Sequence, residues 1–188
     1  MRLGIYGGSF DPIHHGHLIL ARTAAEQLNL HRVIFIPANI SPHKMESVPT
    51  TAEDRLSMLR LALEGEEILE SSDEELRRPP PSYTVDTLRQ LSSAHPKAEL
   101  ILLVGADNVE KFSTWHEAET IQKLAEIAVL DRPSGKKEHP WPVVHGLVDI
   151  SSTDIRCRVS VGKSIRYLTP RPVCDYISAK GLYLTSDI

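Results

Sequence analysis

The stretch RLGIYGGSFDPIHHGHLILARTAAEQL, residues 2–28, joins an apolar run to a helical pattern through a turn crowded with glycine, Asp-Pro and histidine. Arg2 to Tyr6 reads as a buried strand. From Gly16 to Leu28 apolar residues recur at Leu18, Leu20, Ala21, Ala24, Ala25 and Leu28, the spacing of a helix with one buried face. A strand feeding directly into such a helix is the first half of a βαβ unit.

The alternation returns downstream. Val33 to Pro37 predicts a second strand, stopped by its proline, and Thr50-Thr51-Ala52-Glu53 predicts a capping box that opens a helix to about Leu63. Glu67 to Glu70 reads as a short strand and Thr84 to Leu91 as a helix. Leu100 to Val104 is the most continuous apolar run, the pattern of a central parallel strand. Ile127 to Leu130 predicts another strand and Val143 to Ile150 a weaker one. Pro172 to Lys180, followed by Gly181, carries the punctuation of a last helix. Ala38 to Pro49, Arg77 to Ser82 and Pro133 to Pro142 are rich in proline and polar residues and read as surface loops. The expected fold is therefore α/β: a Rossmann-like, doubly wound, mainly parallel sheet with helices on both faces, in a single domain spanning residues 1–188.

Composition agrees with one globular domain. The chain has 188 residues, 41% hydrophobic and 24% charged, with a formal charge of −4. That acidic balance, with no basic-aromatic stripe, argues against a nucleic-acid partner. No apolar stretch approaches the roughly 20 residues of a membrane span, and the N-terminus lacks a signal-peptide pattern. Cys157 and Cys174 form no C-x-x-C pair and imply no disulfide framework, so a reduced, cytoplasmic setting is expected.

Open parallel sheets bind ligands beyond the carboxyl ends of their strands, which directs attention to the first turn. Gly7 and Gly8 let the backbone approach a ligand, the helix start near Gly16 offers N–H groups to an anion, and Asp11-Pro12 fixes a turn. His14 and His17 are three apart and can point at one phosphate. The G-x-G-x-x-G dinucleotide fingerprint is absent. Two histidines at this spacing also suit zinc, but no cysteine or carboxylate spacing completes a tetrahedral set, so no protein-held metal is expected. A second anion site is predicted at Ile150-Ser151-Ser152-Thr153-Asp154-Ile155-Arg156. There Ser152 or Thr153 can cap a helix, and Arg156, one turn in, can present its planar fork to the same group.

Ser9-Phe10-Asp11-Pro12-Ile13-His14-His15-Gly16-His17 resembles the G-x-F-D-P-x-H-x-G-H element of the nucleotidyltransferase superfamily, with His15 at its variable position. Ile150 to Arg156 resembles that superfamily's I-S-S-T-x-I-R element. Further segments resemble the bacterial nicotinate-nucleotide adenylyltransferases: Ile36-Pro37-Ala38-Asn39 with Pro42-His43-Lys44, Ser82 to Leu88, Gly105-Ala106-Asp107 with Phe112 and Trp115, Asp131-Arg132-Pro133, and Val173 through Tyr183. The resemblance implies adenylyl transfer from ATP to nicotinate mononucleotide, giving deamido-NAD and pyrophosphate, with Mg²⁺ accompanying the ATP. It assigns His14, His17 and Arg156 to catalysis. Gly7, Gly8, Ser9, Phe10, Gly105, Asp107, Ser152 and Thr153 would join them around ATP. Gly8, Ser9, Lys44, Thr84, Asp107, Trp115, the backbone of His116 and Arg132 would face the mononucleotide. Ser9 stands where threonine is common, which keeps the hydroxyl. The loop around Lys136 and Lys137 matches no pattern and leaves open whether copies of the chain associate. Nicotinamide mononucleotide, phosphopantetheine, a cytidylyl donor and a non-catalytic nucleotide sensor are the competing readings.

Overall fold

The computed structural model describes residues 1–39, 50–131 and 139–184. Six parallel strands form one sheet: β1 (Arg2–Gly8), β2 (Arg32–Pro37), β3 (Leu69–Ser71), β4 (Glu99–Gly105), β5 (Glu126–Asp131) and β6 (Val143–His145). Their order across the sheet is β3-β2-β1-β4-β5-β6, so the chain winds outward from β1 to one edge, returns, and winds to the other. Ile5 pairs in register with Ile34 on one side and Leu102 on the other. The direction of winding reverses between β1 and β4, and a crevice opens at the carboxyl ends of those two strands.

Strand alternation divides the core. Tyr6, Phe35, Leu103 and Leu130 face α1 (His15–Gln27), α2 (Ala52–Ala62), α5 (Ser152–Ser160) and α6 (Arg171–Lys180), which contribute Leu20, Met58, Ile155 and Val173 among others. Leu3, Ile5, Ile34, Ile36, Leu102 and Val104 face the opposite layer, built from α3 (Thr84–Ala94) and α4 (Ala118–Leu124). Every strand with buried residues on both faces reads as a continuous apolar run, which is why β1, β2, β4 and β5 were legible. Two single-turn 3₁₀ segments, Ala106–Asn108 and Phe112–Thr114, carry the chain from β4 to α4.

Several boundaries differ from the sequence expectation. The α2 cap is Thr51, whose Oγ1 accepts from the Asp54 N–H at 3.1 Å, one residue later than the expected box. Ser151 caps α5 through the Asp154 N–H at 3.0 Å, so the expected caps Ser152 and Thr153 are free for other contacts. β3 begins two residues later than its expected start. β6 ends at His145 because the chain turns outward, leaving Leu147 79% exposed. α4 was not expected: it is seven residues long and buries Ile121 alone, too little for a periodic pattern. No helix among the described residues is long and apolar enough to cross a membrane.

Candidate active site

The first turn emerges from the centre of the sheet. His14 is the N-cap of α1 and His17 its third residue, and the two rings cap each other's backbone. The His17 N–H donates to His14 Nδ1 at 3.4 Å, and the His14 N–H donates to His17 Nδ1 at 3.3 Å. The rings stack with centroids 3.6 Å apart and planes 23° from parallel. Because each Nδ1 accepts, the neutral form of each ring carries its proton on Nε2, as a donor. Gly16 makes this possible: a Cβ there would lie 3.0 Å from His14 Nδ1 and 3.1 Å from its Cε1. His14 is buried and His17 half-buried, so His17 is the more open ring.

Phe10, expected near ATP, is almost wholly buried. The residue is 2% exposed and its ring packs beneath the turn, its centroid 5.1 Å from that of His17 and 5.4 Å from that of Tyr6. The ring supports His17.

α5 is pinned to the same turn. Ser152 Oγ donates to the Pro12 carbonyl at 2.9 Å, and Arg156 donates through one terminal nitrogen to the Asp11 carbonyl at 2.7 Å. Its other terminal nitrogen lies 3.4 Å from Thr153 Oγ1. A half-buried guanidinium thus sits against the turn that holds the two imidazoles, beside the start of a nine-residue helix. This is cationic and N–H-rich ground, suited to polyanionic oxygens.

On the other side of β1 a cavity of about 410 Å³ opens at the crevice. Gly7, Gly8, Ser9, Gly105, Thr84, Trp115 and His116 all line it, which unites seven of the expected residues. Thr84 is the first residue of α3, and the N-cap Tyr83 makes no side-chain capping bond, so no side-chain cap from Tyr83 takes up the first amides of the helix. Trp115 packs against Phe112 with centroids 5.3 Å apart, and the His116 ring lies 4.4 Å from that of Tyr83. Asp107 is exposed in its 3₁₀ turn and does not line the cavity; its neighbour Asn108 does. Lys44 and Arg132 lie outside the described residues.

Three groups at this site were not singled out from the sequence. Glu75 lines the cavity, accepts from Thr87 Oγ1 at 2.7 Å and lies 3.9 Å from Arg78. Burial pushes its carboxyl above the ordinary value, opposed by the bond from Thr87 and by Arg78. Arg55 is 1% exposed and donates to three backbone carbonyls: Ser9 at 2.8 Å, Asn39 at 3.1 Å and Thr50 at 3.1 Å. Its location on the buried stripe of α2, one turn before Met58 and Leu59, is a sequence clue that charge alone obscures. Tyr183 joins the first turn from the far end of the chain, its hydroxyl 2.6 Å from Asp11 Oδ1.

The cytidylyltransferase-like family model matches residues 5–158. A protein of Thermus thermophilus, named "Probable nicotinate-nucleotide adenylyltransferase", is 46% identical over 187 residues, covering 97% of this chain and all of that one. A Geobacillus thermodenitrificans protein of the same name is 44% identical, covering 97% of this chain and 86% of its own. Among solved structures, Plasmodium falciparum nicotinic acid mononucleotide adenylyltransferase complexed with NaAD superposes with a TM-score of 0.82, covering 97% of each chain. At 19% identity, that likeness speaks for the fold.

Proposed function

The chain belongs to the cytidylyltransferase-like family, alongside nicotinate-nucleotide adenylyltransferases, and from that footing we propose how it transfers an adenylyl group from ATP to nicotinate mononucleotide. The observation that carries the assignment is the pairing of two unlike anion-facing surfaces across one crevice: the His14–His17–Arg156 cluster and the uncapped start of α3 beside Trp115.

The 5′-phosphate of nicotinate mononucleotide attacks the α-phosphorus of ATP in line. A new O–P bond forms while the bond to the bridging oxygen of the β-phosphate breaks, and pyrophosphate leaves with that electron pair. A phosphate monoester is largely dianionic at neutral pH because its second pKa is about 6, so the nucleophile arrives deprotonated. The obstacle is repulsion between anions and the charge that builds on the equatorial and leaving oxygens, which positioning and donors must meet.

His17, the more open ring, would donate from Nε2 to the α-phosphate as charge develops, with His14 behind it holding its orientation and reaching neighbouring oxygens. Arg156 and the N-terminal amides of α5 near Ser152 and Thr153 would hold the β- and γ-phosphates. Gly7, Gly8 and Ser9 would pass close to both phosphorylated partners. Thr84 and the amides of α3 would receive the nicotinate carboxylate, with Trp115 against the pyridine ring and the backbone of His116 nearby. Gly105 and Asp107 would face ribose, Asp107 from the rim. Lys44 and Arg132 remain assigned to the mononucleotide by family resemblance. Mg²⁺ is read as part of the substrate, bound to the triphosphate and offsetting its charge. No group of three His, Cys, Asp or Glu side chains that could hold a metal comes together among the described residues.

Pyrophosphate release and product mass, measured for ATP or CTP with nicotinate or nicotinamide mononucleotide, test the assignment. Preference for ATP with the acid nucleotide is the expected result. A preference for CTP, for the amide nucleotide, or no turnover with any pair would overturn it.

A further inference from the structure

Asp11 belongs to the first turn, yet its side chain is held by residues far away in sequence. It is 7% exposed. Oδ2 accepts from the Thr50 N–H at 3.2 Å, just before α2, and Oδ1 accepts from the Tyr183 hydroxyl at 2.6 Å across 172 residues. The Asp11 carbonyl meanwhile accepts from Arg156. One residue, three positions before His14, therefore ties together the turn, α2, α5 and the chain beyond α6.

A specific backbone path delivers Tyr183. α6 ends on Gly181, whose φ of 62° is the left-handed conformation glycine adopts at no steric cost. The Leu182 N–H then returns to the Ile177 carbonyl at 3.1 Å, turning the chain back towards the first turn. Tyr183 itself adopts φ of 63°, an uncommon conformation for an aromatic residue that persists only where its surroundings enforce it. Burial, followed by the nearby Asp11 charge, pushes its hydroxyl well above the ordinary tyrosine range, so it remains a donor throughout the working range.

We propose that Tyr183 is a positioning residue for the transfer reaction: acting through Asp11, its hydroxyl fixes the turn that orients His14 and His17 and seats Arg156. The inference rests on the adenylyl-transfer reading of the site. Without the hydroxyl, a buried carboxylate oxygen loses its short donor and the carboxylate must turn towards another. Arg156 and Arg55 are the cations at hand, and either movement shifts the turn. Reactions governed by alignment are sensitive to such shifts, with displacements of about 1 Å costing up to about 10²-fold.

Tyr183→Phe in the full chain removes one oxygen and keeps the ring, and Tyr167→Phe, at an exposed tyrosine, serves as the control. At a temperature where all variants are folded, Tyr183→Phe should lower kcat roughly tenfold while both KM values stay within about twofold. The ring signals of His14 and His17, followed by NMR in the free protein, should move in Tyr183→Phe and stay put in Tyr167→Phe. Combining Tyr183→Phe with Asp11→Asn should cost no more than Asp11→Asn alone, since both act through one contact. Unmoved histidine signals, an unchanged kcat with moved signals, or additive losses would each overturn the proposal. The NMR arm needs no substrate, so failure of the transfer reading would show as inactive parent protein with the histidine response intact.

Discussion

The two rims of the crevice are built from different kinds of donor. On the turn side, α1 and α5 start with side-chain caps, His14 and Ser151, and the groups gathered there are imidazoles and a guanidinium. On the far side, α3 starts with no side-chain cap, and its donors are backbone amides with the Thr84 hydroxyl. Imidazole and guanidinium donors suit a centre where negative charge builds during reaction. Fixed amides suit a carboxylate that is only recognised. Under the proposed function, the difference assigns rate to one rim and choice of partner to the other.

The sharpest way to break that comparison is His17→Ala. By analogy with loss of one oxyanion donor, it should lower kcat on the order of 10²- to 10³-fold, with little change in the preference for acid over amide nucleotide. Steady-state assays that find near-normal turnover would remove His17 from the rate-bearing rim. Arg156→Ala should come next, lowering kcat/KM for ATP on the order of 10- to 100-fold, the worth of charge-assisted bonds. The mononucleotide KM should move little in the same titration.

Thr84→Val addresses the other rim. It should cost roughly tenfold in kcat/KM for nicotinate mononucleotide and clearly less for nicotinamide mononucleotide. Equal losses with both substrates would mean that Thr84 does not read the carboxylate. The smallest effect concerns Glu75 in the same wall. Its folded-state pKa is raised, so its stabilising contribution is complete below the unfolded value of 4.5 and is lost as pH climbs through the raised folded value. Glu75→Gln cannot ionise. The melting temperature of the variant relative to the parent should therefore rise as the pH is raised above 4.5. A difference that stays flat with pH would show that Glu75 is not strained by ionisation.

Much of the turn rim was legible because its chemistry is local. Strand, Asp-Pro, two histidines and helix follow one another within residues 2–28, and the Ser-Ser-Thr-x-Ile-Arg element repeats that economy at α5. Caps were misplaced by one residue at Thr51 and by one or two at Ser151 because neighbouring hydroxyls are chemically alike, and only backbone dihedrals decide which one caps. The far rim was harder. Thr84 and Trp115 came from family resemblance, while Glu75, Thr87 and Asn108 face the cavity through contacts that no sequence period encodes. Arg55 was hidden because a charged residue on an apolar stripe reads as surface until its three carbonyl partners are seen. α4 is too short to carry a pattern, and β6, expected over residues 143–150, was legible only at its start.

At the triphosphate site proposed here, the two stacked imidazoles could act as donors or as a covalent way-station for the adenylyl group. The stereochemistry at the α-phosphorus separates these directly. Turnover of ATP carrying one chiral α-thiophosphate with nicotinate mononucleotide should give a dinucleotide with inverted configuration, the signature of a single in-line displacement in which neither histidine bonds to phosphorus. Retained configuration would mean two successive displacements through an adenylylated side chain, and would contradict the account.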